Sequence, residues 1–283
     1  MNNANPDSLV STSWLADHVA APDIRIVDGT FYLPTEGKSA RAEYQKQHIL
    51  GAVFFDIDEI ADSDTDLPHM LPSPEKFSSR VRRLGLGDGN RIVVYDANGM
   101  GAARVWWTFR VFGHRDVAVL DGGMRKWLAE GRPIEDLPPM PRERHFTAQF
   151  NNLLVRNKGQ VRANLGTSRE QVLDARSRGR FAGTEPEPRA GLRSGHIPGS
   201  CNLPAGMVMD PADGTFLPPD ILKKRFEEAG IDLDRPVITS CGSGVTAATL
   251  AFALHLIGHD DVAVYDGSWS EWGRAGDTPV ETT

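Results

Sequence analysis

The chain has 283 residues, 40% hydrophobic and 24% charged, with a formal net charge of -7. That length holds one large domain or two ordinary ones, each able to bury its own core. The acidic balance argues against nucleic acid as a partner, because phosphate contacts need a basic face. No apolar run approaches the roughly 20 residues of a membrane helix. The start, Met1-Asn2-Asn3-Ala4-Asn5-Pro6-Asp7, lacks the basic and apolar regions of a secretory signal. Two cysteines, Cys201 and Cys241, are too few for a disulfide framework or a structural zinc site. A reducing cytoplasm suits such a chain.

In chain order, Ile24–Asp28 reads as a strand, Glu75–Leu84 as a helix, and Arg91–Tyr95 and Val117–Leu120 as further strands. Such alternation predicts an α/β fold, a mainly parallel sheet with helices on both faces. Pro138-Pro139-Met140-Pro141-Arg142-Glu143-Arg144 is proline-rich and reads as a linker. Beyond it the pattern repeats. Gly113-His114, Val117-Ala118-Val119, Asp121-Gly122 and Trp127 recur 145 residues later as Gly258-His259, Val262-Ala263-Val264, Asp266-Gly267 and Trp272. Upstream, His48-Ile49-Leu50-Gly51 pairs with His196-Ile197-Pro198-Gly199 at a shift of 148. Agreement over this length predicts one fold used twice. The expected division is 1–138 and 165–283, joined by a linker at 139–164.

The most informative stretch is Cys241-Gly242-Ser243-Gly244-Val245-Thr246-Ala247. It follows the strand-like Pro236–Ser240 and opens a helix-like segment, Ala247–Ile257. A thiol at a strand-to-helix turn meets the unpaired N–H groups of the first helical turn, which favour the nucleophilic thiolate. Under the repeat, Cys241 corresponds to Asp96, so only the second half carries the nucleophile. Cys201 corresponds to Val53 and reads as an inert buried thiol. His48, His196, His114 and His259 recur and read as architectural, and Trp127, Trp269 and Trp272 as packing. Asp62-Ser63-Asp64-Thr65-Asp66 lacks the glycine and glutamate of a calcium loop and reads as solvated. A cysteine phosphatase would need an arginine where Ala247 stands.

The loop resembles that of the rhodanese superfamily, and within it the 3-mercaptopyruvate sulfurtransferases, whose pattern is Cys-Gly-Ser-Gly-Val-Thr. The strings Phe54-Phe55-Asp56-Ile57-Asp58, His69-Met70-Leu71-Pro72, Gly179-Arg180-Phe181, Gly183–Arg189 and Tyr265–Trp269 extend the resemblance over nearly the full length. Ala248 departs from relatives that carry a second cysteine there. The resemblance implies two tandem rhodanese-like domains, the first inactive, and no cofactor. It implies a Cys241 persulfide, formed from 3-mercaptopyruvate with release of pyruvate and cradled by Gly242, Gly244, Val245 and Thr246. Arg180 and Arg189 would hold the donor, and Ser243, His69 and Asp58 would relay protons. The acceptor would be a thiol such as thioredoxin, or cyanide. Alternatives are a thiosulfate sulfurtransferase, whose loop typically carries basic residues after the cysteine, and a silent sulfur-carrier or binding domain.

Overall fold

The structure is a computed structural model describing residues 3–283; Met1 and Asn2, where the secretory-signal reading begins, lie outside the described residues. The first half runs β1 (Leu9–Val10), α1 (Thr12–His18), β2 (Ile24–Asp28), α2 (Ala40–Lys46), β3 (His48–Ile49), β4 (Val53–Phe54), α3 (Ile57–Ile60) and α4 (Pro74–Arg83). It continues with β5 (Arg91–Tyr95), α5 (Ala102–Val111), β6 (Val117–Leu120), α6 (Gly123–Ala129) and β7 (Ile134–Glu135). The second half runs β8 (Val155–Arg156), α7 (Lys158–Thr167), β9 (Gln171–Asp174), α8 (Arg178–Ala182), β10 (Cys201–Asn202) and α9 (Pro219–Glu228). It ends with β11 (Val237–Ser240), α10 (Ala247–Leu256), β12 (Val262–Tyr265) and α11 (Ser268–Trp272).

The two five-stranded sheets have orders β1-β6-β5-β2-β4 and β8-β12-β11-β9-β10. Position for position these are the same order, and every pairing within them is parallel. Among the described residues β3 and β7 form the one antiparallel strand pair, and the second half keeps a trace of it in the isolated His196–Glu281 bridge.

Side chains alternate across each sheet. In β5, Ile92 and Val94 enter one core with Phe77, Phe109 and Trp106, while Val93 and Tyr95 enter another with Leu15, Met124 and Trp127. In β11, Val237 faces the first of these cores and Ile238 faces Trp269 and Trp272. Burial on both faces explains why these strands read as continuous apolar runs.

Helices α5 and α10 follow the two repeated turns and pack against each other, with Trp106 edge-on to Phe252 at 4.7 Å between ring centroids. Every residue of α10 is buried, as is all of α5 except Arg110. A helix caught between its own sheet and another domain has no polar face. One core is therefore continuous through both halves.

The expected linker, 139–164, needs correction. Phe146 is fully buried among Phe77, Phe109 and His114, and the Asn151 N–H donates to the Val111 carbonyl. From Val155 the chain is already part of the second sheet, through β8 pairing with β12. These elements escaped the sequence reading because β8 is two residues long and α7 buries only Val161 and Asn164. No helix among the described residues is long and apolar enough to cross a membrane.

Candidate active site

β11 ends at Ser240, and Cys241 begins the turn into α10. The turn's carbonyls are tethered on one side: Trp269 N–H donates to Cys241 O at 2.9 Å, and Ser270 N–H and Oγ–H donate to Gly242 O at 2.8 and 2.7 Å. The Cys241 N–H donates to Ser268 Oγ at 3.1 Å. Among the described residues, no protein acceptor takes the amide N–H groups of Gly242, Ser243, Gly244, Val245 or Thr246. Five unpaired amides at the start of a helix form a site suited to negative charge beside a thiol that is itself buried.

The matching turn of the first half shows what fills such a site. Asp96 stands where Cys241 does, and its own carboxylate accepts from the N–H groups of Gly99, Gly101 and Ala102 at 2.6, 2.8 and 2.6 Å. Burial raises the Asp96 pKa, and those amides oppose the rise. Beside this loop lies a cavity of about 440 Å³ whose walls include Ala97, Ala103, Leu120, Met209 and Phe216.

Two guanidinium groups lie over Gly242. A Cβ built there would come within 2.9 Å of Arg180 Nη2 and 3.8 Å of Arg189 Nη1, so only glycine leaves Arg180 its place. Arg180 sits on α8 and is held by Glu187, with Nη2 at 2.6 Å and Nε at 3.2 Å from its carboxylate. The Glu187 side chain, 2% exposed, also receives Arg176 Nη1 at 2.7 Å, and Arg176 stacks 4.2 Å from the Trp269 ring centroid. Arg189 makes no ion pair among the described residues. Burial lowers its pKa, and the neighbouring Cys241 opposes the shift while Arg180 adds to it.

From the first half, His69 reaches across to this loop. Its Nδ1 lies 2.9 Å from Ser243 Oγ and its Nε2 3.1 Å from Asp58 Oδ1. Hydrogen bonding to His69 lowers the Asp58 pKa, and the charges of His69 and Arg189 add to that. A carboxylate only accepts, so Nε2 carries a proton; when the ring is neutral, Nδ1 accepts from the Ser243 hydroxyl. The structure thus brings together Cys241, Ser243, His69, Asp58, Arg180 and Arg189, with Gly242, Gly244, Val245 and Thr246 supplying backbone.

The other assignments divide. His48 and His196 each bond a backbone carbonyl through Nδ1 and stack on Tyr44 and Phe181. His114 and His259 also bond carbonyls, and Trp127, Trp269 and Trp272 are fully buried. Cys201 differs from expectation. It begins the edge strand β10, so it is half-buried rather than buried, its Sγ 3.8 Å from the Gly230 carbonyl; burial still raises its pKa. Sequence reasoning missed Glu187, Arg104 and Asp266. Glu187 and Asp266 lie within the family-like strings without an assigned role, and Arg104 gave no signal beyond the absence of an arginine at its counterpart, Thr249.

Residues 11–130 and 157–275 match the family of rhodanese-like domains. The chain is 42% identical to human 3-mercaptopyruvate sulfurtransferase, over 94% of this chain and 91% of that one. It is 46% identical to rat thiosulfate sulfurtransferase, over 97% and 94% respectively. The crystal structure of SseA from Escherichia coli, described among 3-mercaptopyruvate sulfotransferases, superposes with a TM-score of 0.85 at 38% identity, covering 93% of this chain and 99% of that one. With both halves matched and the turn, the repeat and the sheet order in agreement, this chain belongs to the rhodanese family as a tandem-domain sulfurtransferase.

Proposed function

We propose that this enzyme takes sulfur from 3-mercaptopyruvate, carries it as a Cys241 persulfide, and passes it to a thiol such as thioredoxin or to cyanide. The supporting observation is the convergence of five unpaired amides, two guanidinium groups and the Ser243–His69–Asp58 chain on one buried thiol. Arg180 and Arg189 suit the donor's carboxylate and keto oxygen, since a planar fork matches planar acceptors. The Cys241 thiolate attacks the donor sulfur, so an S–S bond forms as the carbon–sulfur bond breaks. The bonding electron pair leaves on carbon as the enolate of pyruvate. Ser243 first passes the donor thiol's proton to Nδ1 of His69, and the same chain then delivers that proton to the enolate carbon. The amides of 242–246 then stabilise the persulfide anion, a role like that of an oxyanion hole. An acceptor thiolate attacks the outer sulfur, leaving as its own persulfide and restoring Cys241. A reducing compartment, read as the cytoplasm, keeps the thiol available.

Thiosulfate as donor is the second reading, favoured by the 46% identity to a thiosulfate sulfurtransferase. Against it stand the uncharged Gly242 and Ser243, where a dianionic donor calls for basic residues, and the proton relay, which a donor without a thiol proton does not need. The deciding measurement is kcat/KM with each donor and a common acceptor. Mercaptopyruvate is expected to be preferred at least tenfold, and a thiosulfate preference overturns the assignment.

A further inference from the structure

We infer that Arg104, on α5 of the inactive half, is a positioning residue that sets both His69 and the sulfur-carrying loop. Its side chain is 3% exposed and its guanidinium lies 4.5 Å from the Trp107 ring centroid. Nη1 donates to Asp266 Oδ1 at 2.8 Å and to the Gly244 carbonyl at 3.2 Å, and Nη2 donates to the His69 carbonyl. Asp266 uses its other oxygen to accept the Leu71 N–H at 2.8 Å. One buried ion pair therefore grips the backbone at 69, 71 and 244 together.

The internal repeat supplies a control. Leu71 and Asp266 correspond, at the shift of 145, to Phe216 and Asp121, and there too the aspartate accepts the N–H, Asp121 Oδ1 from Phe216 at 2.8 Å. The crossing contact between halves is thus built into the fold on both sides. What differs is the rest of the clamp. Arg104 corresponds to Thr249, whose hydroxyl has no hydrogen-bond partner among the described residues. His69 corresponds to Gly214. Both take left-handed backbone, with φ of 61° and 79°. Glycine adopts that conformation freely and histidine does not. The catalytic side thus places a strained histidine where the silent side keeps glycine, and adds an arginine bonded to that histidine's carbonyl. Surrounding contacts must over-determine such a conformation for it to persist.

The grip on Gly244 acts on the loop. A trans peptide points its carbonyl and the next N–H in opposite directions. Anchoring Gly244 O to Arg104 therefore turns the Val245 N–H away from Arg104, leaving it among the unpaired amides.

The inference rests on the proposed sulfur transfer, so the test includes a readout that needs no donor. Arg104→Lys keeps the charge but cannot span three acceptors. Asp266→Asn keeps the shape and, with its amide nitrogen toward Leu71, loses that anchor. Both are measured as kcat and KM with mercaptopyruvate per titratable Cys241, and by the pH dependence of Cys241 alkylation by iodoacetamide. For Arg104→Lys we expect kcat to fall at least tenfold with KM within threefold, and the alkylation midpoint to move to higher pH. For Asp266→Asn we expect a three- to tenfold fall in kcat; because it is nearly isosteric, it carries the test if the lysine variant does not fold. A folded variant with the wild-type kcat per titrated thiol and the wild-type alkylation profile overturns the positioning role, leaving only a structural ion pair. If wild type alkylates normally but does not turn over mercaptopyruvate, the donor assignment fails instead.

Discussion

At the scale of single residues, the two thiols differ by what surrounds them. Cys241 sits against unpaired amides and two guanidinium groups, whereas burial raises the Cys201 pKa and no cation among the described residues offsets it. Cys241→Ser is expected to abolish sulfur transfer, and Cys201→Ser to retain it within about twofold. Cyanide-releasable sulfur and turnover, measured on both variants, check this; equal loss in the two contradicts it. Arg189 makes no ion pair among the described residues, while Arg180 is held by Glu187. Arg189→Lys is expected to raise the donor KM about tenfold with a smaller change in kcat, since lysine lacks the planar fork. An unchanged KM removes Arg189 from donor binding.

At the scale of elements, the same strand–turn–helix unit is built twice and used differently. In one copy the amides stay open; in the other Asp96 closes them. Asp96→Ala leaves three N–H groups without an acceptor, at an expected cost of about 1–3 kcal/mol. The reading is a melting temperature lowered by several degrees with kcat per folded enzyme within about twofold of wild type; an unchanged melting temperature contradicts the role. The strand–turn–helix unit was legible because β5 and β11 are buried on both faces and read as apolar runs. The start of the second domain was not. A two-residue strand has no periodicity to detect, and proline-rich chain reads as a linker even where Phe146 anchors it in a core.

At the scale of the molecule, each half presses a loop onto the other, and the aspartates that hold these loops differ in charge balance. Asp266 is paired with Arg104, while burial pushes the Asp121 pKa up to about 6, against Lys126 and the Phe216 N–H, which lower it. A carboxyl whose pKa is raised on folding adds stability that is fully present below its unfolded value, near 4, and lost as pH rises through about 6. Asp121→Asn keeps an acceptor for Phe216 without titrating. It is expected to remove this pH dependence and to exceed wild-type stability at pH 7 by about 1–2 kcal/mol, after discounting for partial exposure. Denaturation curves at pH 4 and pH 7 provide the check, and parallel pH dependences in the two proteins contradict it.

The sequence alone determined the duplicated α/β fold, the place of Cys241 at one repeated turn and Asp96 at the other, and the family. Those follow from local pattern: strand periodicity, a turn between strand and helix, and a recurring register. The resemblance also named His69, Asp58, Arg180 and Arg189. That they converge, that Glu187 holds Arg180, and that Arg104, paired with Asp266, holds the His69 carbonyl, was decided only by the tertiary structure. Arg104 and Gly244 are 140 residues apart, and Leu71 and Asp266 are 195. Contacts of that separation arise from packing α5 against α10, which brings one half's loop to the other half's turn, and no local pattern encodes them.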